Sequence, residues 1–262
     1  MLIDTHCHLH DKEFYSEKEA EAALSRAKEK GIEKIICIGT NHKDSLAAHD
    51  FAEKHKNIFW TYGIHPEYAS EAHQKLPKTG EAGNEARPEL PEIDFGEFKT
   101  PPIAIGEVGL DYHYEDYDRY TQIRLFEEML NLATRHDLPL SFHIREAFDD
   151  FFGVIKNFPG VRGVVHSFSD NKKNLKRILT ETDFYIGVNG MATYSTLPTP
   201  PLDRTLLETD APFLTPIPFR GIMNEPSHIR DIALWLAGKL SIEPQIIEEE
   251  TTKNARELFR FH

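Results

Sequence analysis

The sequence predicts a (β/α)8 barrel of the metal-dependent hydrolase kind, one domain spanning residues 1–262. Three observations carry this. Short apolar runs rich in β-branched residues recur eight times, amphipathic stretches separate them, and 262 residues is the length such a barrel takes.

The runs are Leu2–Thr5, Lys34–Gly39, Phe59–Ile64, Pro102–Val108, Pro139–Ile144, Gly163–His166, Phe184–Val188 and Thr205–Glu208. Four to eight apolar residues bounded by Gly and Pro read as parallel strands buried on both faces. Between them, Glu17–Lys30 puts Ala20, Ala23, Leu24 and Ala27 on one face, and Gln122–His136 spaces Ile123, Phe126, Met129, Leu130 and Ala133 helically. Asn171–Thr182, Ile229–Leu240 and Pro244–Phe259 read the same way, and Gly31 sits where the first helix should stop. A doubly wound open sheet would show the same alternation. The placement of polar residues at the strand ends favours the barrel.

Two stretches depart from the pattern. Residues 69–100 form a long insertion with Pro77, Pro88 and Pro91, acidic where charged. Loops of this length in a compact domain are usually functional or mobile. Residues 189–203 hold Pro198, Pro200 and Pro201 and show no helical period, so one barrel helix is expected to be reduced to a turn there.

Composition removes several classes. No apolar run approaches the ~20 residues of a membrane helix, and His6, His8 and Asp4 interrupt the N-terminal text too early for a secretory signal. Two cysteines, Cys7 and Cys37, imply no disulfide framework, and a cytoplasmic protein is expected. Fourteen histidines is a high count, and several lie within strand-like text.

The ends of the strands hold the chemistry. The first run is followed by His6-Cys7-His8, the fourth ends in Glu107, the fifth in His143, the sixth in His166, and the eighth leads to Asp210. In a barrel these positions face one mouth, where active sites of this fold are built. His6 and His8, two apart on a strand, can chelate one ion while Cys7 faces away. Singly, each residue is ordinary: a hydrogen-bonded histidine, a turn acid at Glu107, a capping acid at Asp210. Coincidence at five separate strand ends is not ordinary. Buried carboxylates need a counter-charge, and six ligands exceed what one tetrahedral ion takes, so two divalent ions are expected.

These residues, with their neighbours, resemble the TatD-related metal-dependent deoxyribonucleases, a branch of the amidohydrolase-like barrels. The resemblance runs from Ile3-Asp4-Thr5-His6-Cys7-His8 through Gly63-Ile64-His65-Pro66 and Ile105-Gly106-Glu107-Val108-Gly109-Leu110-Asp111-Tyr112. It continues through His143-Ile144-Arg145, His166-Ser167-Phe168-Ser169 and Leu207-Glu208-Thr209-Asp210-Ala211-Pro212, then Arg220-Gly221, Asn224-Glu225-Pro226 and Thr251-Thr252-Lys253-Asn254-Ala255. It implies that His6, His8 and Asp210 hold one metal and that Glu107 bridges to a second held by His143 and His166. It also places His65 near the substrate and Arg145 beside a phosphate; for His65, a structural role fixed by Pro66 stands as the other reading. The chain departs from the family where Asp170 replaces a glycine, in the short 189–203 segment and in the long 69–100 loop, which bears on substrate size and oligomer contacts.

The expected reaction is phosphodiester hydrolysis by a metal-activated water, with Asp210 and Glu107 as catalytic carboxylates. The resemblance implies end-wise action on single-stranded DNA. Imidazole-rich ligands suit zinc or manganese, and the carboxylates also admit magnesium. A net charge of −13 argues against a protein that coats duplex, and for brief capture of a strand end. The cluster Lys172-Lys173 and Lys176-Arg177 reads as a solvated helix face, while Tyr112, Tyr114 and Phe168 are candidates to stack on a base. No membrane contact or obligate protein partner is evident. The alternatives are a metal-dependent hydrolase of a small amide, lactone or phosphate ester and, more distantly, a non-catalytic barrel binding metal or a partner through the acidic 69–100 loop.

Overall fold

The computed structural model describes residues 1–74 and 93–261. Residues 75–92, the greater part of the expected 69–100 insertion, lie outside the described residues.

Eight parallel strands follow one another round a barrel: β1 (Leu2–Cys7), β2 (Ile32–Cys37), β3 (Ile58–Tyr62), β4 (Ala104–Asp111), β5 (Leu140–Arg145), β6 (Gly163–Val165), β7 (Tyr185–Val188) and β8 (Thr205–Leu207). Every neighbouring pair from β1 to β8 is parallel and hydrogen-bonded, with register shifts in β1–β2 after Leu2 and Asp4 and in β4–β5 between Ile105 and Val108. The seam between β8 and β1 is thinner. It is closed by a parallel bridge between Cys7 and Ala211, by Asp210 N–H donating to His6 O at 2.9 Å, and by His8 N–H donating to Ala211 O at 2.7 Å. Asp4 reinforces it, accepting the Thr209 N–H at 2.9 Å and the Thr209 hydroxyl at 2.6 Å.

The helices are α1 (Glu17–Glu29), α2 (His42–Ala52), α3 (Ala69–Gln74), α4 (Arg119–His136), α5 (Phe148–Ile155), α6 (Lys172–Glu181), α7 (Ile229–Leu240) and α8 (Pro244–Phe259). Their starts follow local chemistry. Ser16 and Glu19 form a reciprocal capping box on α1, and Asp118 accepts the Thr121 N–H at the head of α4. Between β7 and β8 the helix is replaced by two short 3-10 turns, Gly190–Thr193 and Leu202–Arg204, as the proline-rich text predicts.

Three helices, α2, α3 and α5, have no counterpart in the periodicity; α3 is a six-residue helix at the start of the stretch expected to be a loop. The buried face of α2 is Ser45, Ala48 and Ala52, too small to make an apolar stripe. In α5, Phe148, Phe151, Phe152, Val154 and Ile155 are all buried, so apolar residues cover most of the helix and no period stands out. Strand β4 also runs three residues beyond the expected Val108. Gln122 holds its end by accepting the Asp111 N–H and donating to the Asp111 carbonyl, both at 2.8 Å.

Most of the core lies between strands and helices. A smaller cluster including Ile3, Ile36, Ile38, Ala104, Val164 and Leu206 joins strand residues to Leu258 and Phe259 of α8. Both cysteines are buried and free. Among the described residues no helix is long and apolar enough to cross a membrane.

Candidate metal centre

The C-terminal strand ends open into a mouth of about 680 Å³ lined by His8, His65, Glu107, His143, Arg145, His166 and Asp210 among others, within the range of small-ligand sites. His6 lies beneath it, fully buried.

Glu107 stands at the centre. Its Oε2 faces the seam, 3.4 Å from His6 Nε2 and 3.9 Å from His8 Nε2. Its Oε1 faces the other way, 2.7 Å from His143 Nδ1 and 3.5 Å from His166 Nε2. The position depends on close backbone packing. Glu107 N–H donates to Gly39 O at 2.7 Å, and a Cβ on Gly63 would fall 2.3 Å from the Glu107 nitrogen, so only glycine fits beneath this peptide. Gly109 has φ +149°, and a side chain there would strike the His143 carbonyl.

Asp210 closes the seam side, with Oδ1 3.6 Å from both His6 Nε2 and His8 Nε2. The two imidazole nitrogens are themselves 3.3 Å apart. Two candidate ligand groups result, with donor atoms within 4.8 Å of one another: His6, His8 and Asp210, and His6, Glu107 and His166. His143 is placed differently from the expected Glu107–His143–His166 trio. It touches Glu107 through Nδ1, but its Nε2 is turned to Asp111 Oδ2 at 2.9 Å, and it groups with His65 and Asp111.

The partners behind the histidines decide what the inner nitrogens offer. His8 Nδ1 lies 3.1 Å from the Ile38 carbonyl, which can only accept, so the proton of neutral His8 sits on Nδ1 and Nε2 presents a lone pair. His6 Nδ1 is 3.3 Å from Ser141 Oγ. His166 Nδ1 is 3.1 Å from Glu208 Oε1, near in distance though off the line of a regular hydrogen bond. Lone pairs and carboxylate oxygens therefore converge at 3.3–3.6 Å. A donor set of this kind suits divalent cations, and each imidazole is backed by a second partner as metal-binding histidines are.

The electrostatics agree. Burial alone would raise the carboxyl pKa of Glu107, yet His166, His143 and His6 hold it well below the usual range. Asp210 is lowered against burial by His166 and His8. Burial depresses His6, whereas His143 rises to about 9 against burial through Asp111 and Glu107, and His166 to about 10 through Glu208 and Glu107.

His65 caps the 3-10 turn Pro66–Tyr68, its Nδ1 accepting the Glu67 N–H at 3.3 Å. Nδ1 is thus an acceptor, the proton belongs on Nε2, and Nε2 lies 3.8 Å from Glu107 Oε1. Burial and the neighbouring His143 hold His65 at about 3, so it is neutral and faces the mouth as a donor. That reading sets the His65–Asp111–His143 group apart from the other two. Arg145 lines the mouth, its guanidinium 5.6 Å from the Tyr114 ring.

Two of the three aromatics expected at the mouth are elsewhere. Phe168 is buried against Phe148, ring centroids 5.8 Å apart, and Tyr112 stacks on Tyr117 and donates to Asp150. Tyr114 alone remains exposed there. The motifs assign no role to Asp111 or Glu208, which stand behind His143 and His166. A fully buried acid in the apolar text Thr205-Leu206-Leu207-Glu208 was the available signal for the second.

The comparisons with known proteins fit this architecture. The model of the TatD related DNase family matches residues 3–260. A Bacillus subtilis protein described as an uncharacterized metal-dependent hydrolase, YabD, is 31% identical, covering all of both chains. An Erwinia billingiae protein named 3'-5' ssDNA/RNA exonuclease TatD is 32% identical over 93% of this chain and 94% of its own. The crystal structure of YJJV, a TatD homolog from Escherichia coli, superposes with a TM-score of 0.80 at 27% identity, covering 100% of this chain and 98% of that one. With an eight-stranded barrel, a His and carboxylate mouth and a match along nearly its whole length, the chain belongs to the TatD-related DNase family of metal-dependent hydrolases.

Proposed function

We propose that this enzyme hydrolyses phosphodiester bonds in DNA, removing nucleotides from single-stranded ends, with two divalent ions that the residues around Glu107 would hold. The observation that carries the reading is the division of that carboxylate, one oxygen facing His6 and His8 and the other facing His143 and His166. His6, His8 and Asp210 would hold one ion, and Glu107, His143 and His166 the other; zinc, manganese and magnesium are the candidates. Such a pair supplies Lewis acidity at the phosphate and an activated water at neutral pH.

The chain's own groups supply the rest. Asp210, partly open to the mouth, orients the water and accepts its proton at Oδ1. Arg145 offers two parallel N–H donors to phosphate oxygens, a geometry lysine lacks. His65 donates from Nε2 toward the phosphoryl group without carrying charge. Strand polarity follows the relatives named 3'-5' ssDNA/RNA exonucleases, and removal from the 3' end is our assignment. Digestion of end-labelled single-stranded DNA by chelator-stripped protein, with Mg²⁺, Mn²⁺ or Zn²⁺ restored, tests this. A metal-dependent ladder shortening from the 3' end is expected; no cleavage with any ion would overturn it.

A further inference from the structure

The mouth has two unlike rims. On the seam side, Phe14 and Phe213 are 42% and 46% exposed, although both line the cavity. Their rings meet edge to face at 5.2 Å, and Phe213 lies 6.2 Å from the His8 ring. Neither is carried on loose backbone. Phe213 N–H donates to the Asp210 carbonyl at 2.8 Å, and its own carbonyl accepts from the fully buried Asn224 at 2.6 Å. Phe14 sits in a turn where Tyr15 N–H donates to Asp11 O at 2.9 Å and Glu13 N–H to Asp11 Oδ1 at 2.8 Å.

Large exposed rings held rigid beside a polar centre are costly unless something covers them, and a flat π-face is what they offer. The charge nearby is equally informative. Asp11 and Glu13 also line this rim, whereas Lys12 between them does not; Asp44 of α2 and Glu67 after β3 add acids to the wall between, and the sole Lys or Arg among the described lining residues is Arg145. Arg145 ends β5 and Tyr114 follows β4, across the barrel from β1 and β8.

We infer that Phe14 and Phe213 seat the terminal nucleobase of a strand, and that Asp11 and Glu13 repel any phosphate beyond it. The rest of the strand leaves over Arg145 and Tyr114. The inference rests on the phosphodiesterase reading and extends it, because end-wise action then follows from the charge asymmetry of the mouth. A continuous backbone would have to carry a phosphate past two carboxylates, and a strand end does not.

Two readouts test it. In equilibrium binding to the metal-loaded protein, deoxyadenosine monophosphate should bind at least about tenfold tighter than 2-deoxyribose 5-phosphate, as stacking on aromatic side chains gives. Phe14→Leu and Phe213→Leu, which keep bulk but remove the π-face, should erase most of that difference. In cleavage, a strand ending in a phosphate should be cut about tenfold more slowly than one ending in a hydroxyl, and Asp11→Asn with Glu13→Gln should narrow the gap. Equal binding of the two monophosphates by wild type, or circular single-stranded DNA cut as fast as linear, would overturn the inference. Retained base preference in a protein that cuts no DNA would count against the nuclease reading and for the seat.

Discussion

The two halves of the mouth contain similar ligand types but differ in what stands behind them. On the seam, His8 is backed by the Ile38 carbonyl and His6 by the Ser141 hydroxyl, both neutral. On the β4–β6 side, His143 is backed by Asp111 and His166 by Glu208, both carboxylates. An anionic partner makes an imidazole more basic and a better ligand. The acid–base balance follows this for three of the four histidines, His143 and His166 being raised to about 9 and about 10 while burial takes His6 down; His8 is raised against burial by Asp210 and Glu107. If two cations bind as proposed, the carboxylate-backed histidines should make the β4–β6 position the tighter and the seam position the exchangeable one.

Removing the shared carboxylate should have the largest effect. Glu107→Ala is expected to reduce turnover on single-stranded DNA to background and bound metal to below two ions per chain, with far-UV circular dichroism unchanged. Normal turnover in that variant would sink the mechanism.

Next come substitutions that touch one half. Glu208→Gln should weaken the tighter ion by roughly 10–100-fold in metal titrations, the usual cost of losing an outer-shell partner, and leave the weaker ion's affinity nearly unmoved. Equal loss at both positions would erase the contrast between the halves.

Arg145→Lys probes the phosphate side without touching either group of ligands. Loss of paired, charge-assisted donors should raise KM roughly tenfold with a smaller change in kcat. A change confined to kcat would move Arg145 from phosphate binding to the chemical step.

The smallest effect is on stability and pH. His10 is raised to about 9 against burial by Asp44 and Cys37, and Asp44 is lowered to about 2 by His10. A raised histidine contributes stability that is complete below its unfolded value near 6.5 and lost as pH rises through 9. The metal-free protein should thus lose thermal stability between pH 6.5 and 10, through His8, His10, His143 and His166 together. Metal loading should leave only the His10 part, which His10→Gln removes; identical pH curves with and without metal would contradict this.

How much was legible follows from where the information lies. Strand order and the convergence of His6, His8, Glu107, His143, His166 and Asp210 could be read because a barrel sends every strand's C-terminal end to one mouth. Asp111 and Glu208 lie within the motifs but carry no periodic signal for a supporting role, since a carboxylate behind a histidine is fixed only by packing. Phe14 and Phe213 sit in turns, where no hydrophobic period marks direction, while Phe168 reads like them and is buried. Helix α5 was hidden for the opposite reason, being apolar on nearly every face. The basic run on α6 is partly absorbed by ion pairs, Arg177 reaching Asp149 at 2.7 Å and Glu181 at 3.1 Å.

Whether Glu107 is shared by two unequal cations can be read from Mn²⁺ titration of chelator-stripped wild-type protein followed by electron paramagnetic resonance. Binding should be stepwise, one tight ion and then one weaker, with the second step producing the spectrum of an exchange-coupled pair. A single ion per chain, or two ions that remain uncoupled, would contradict it.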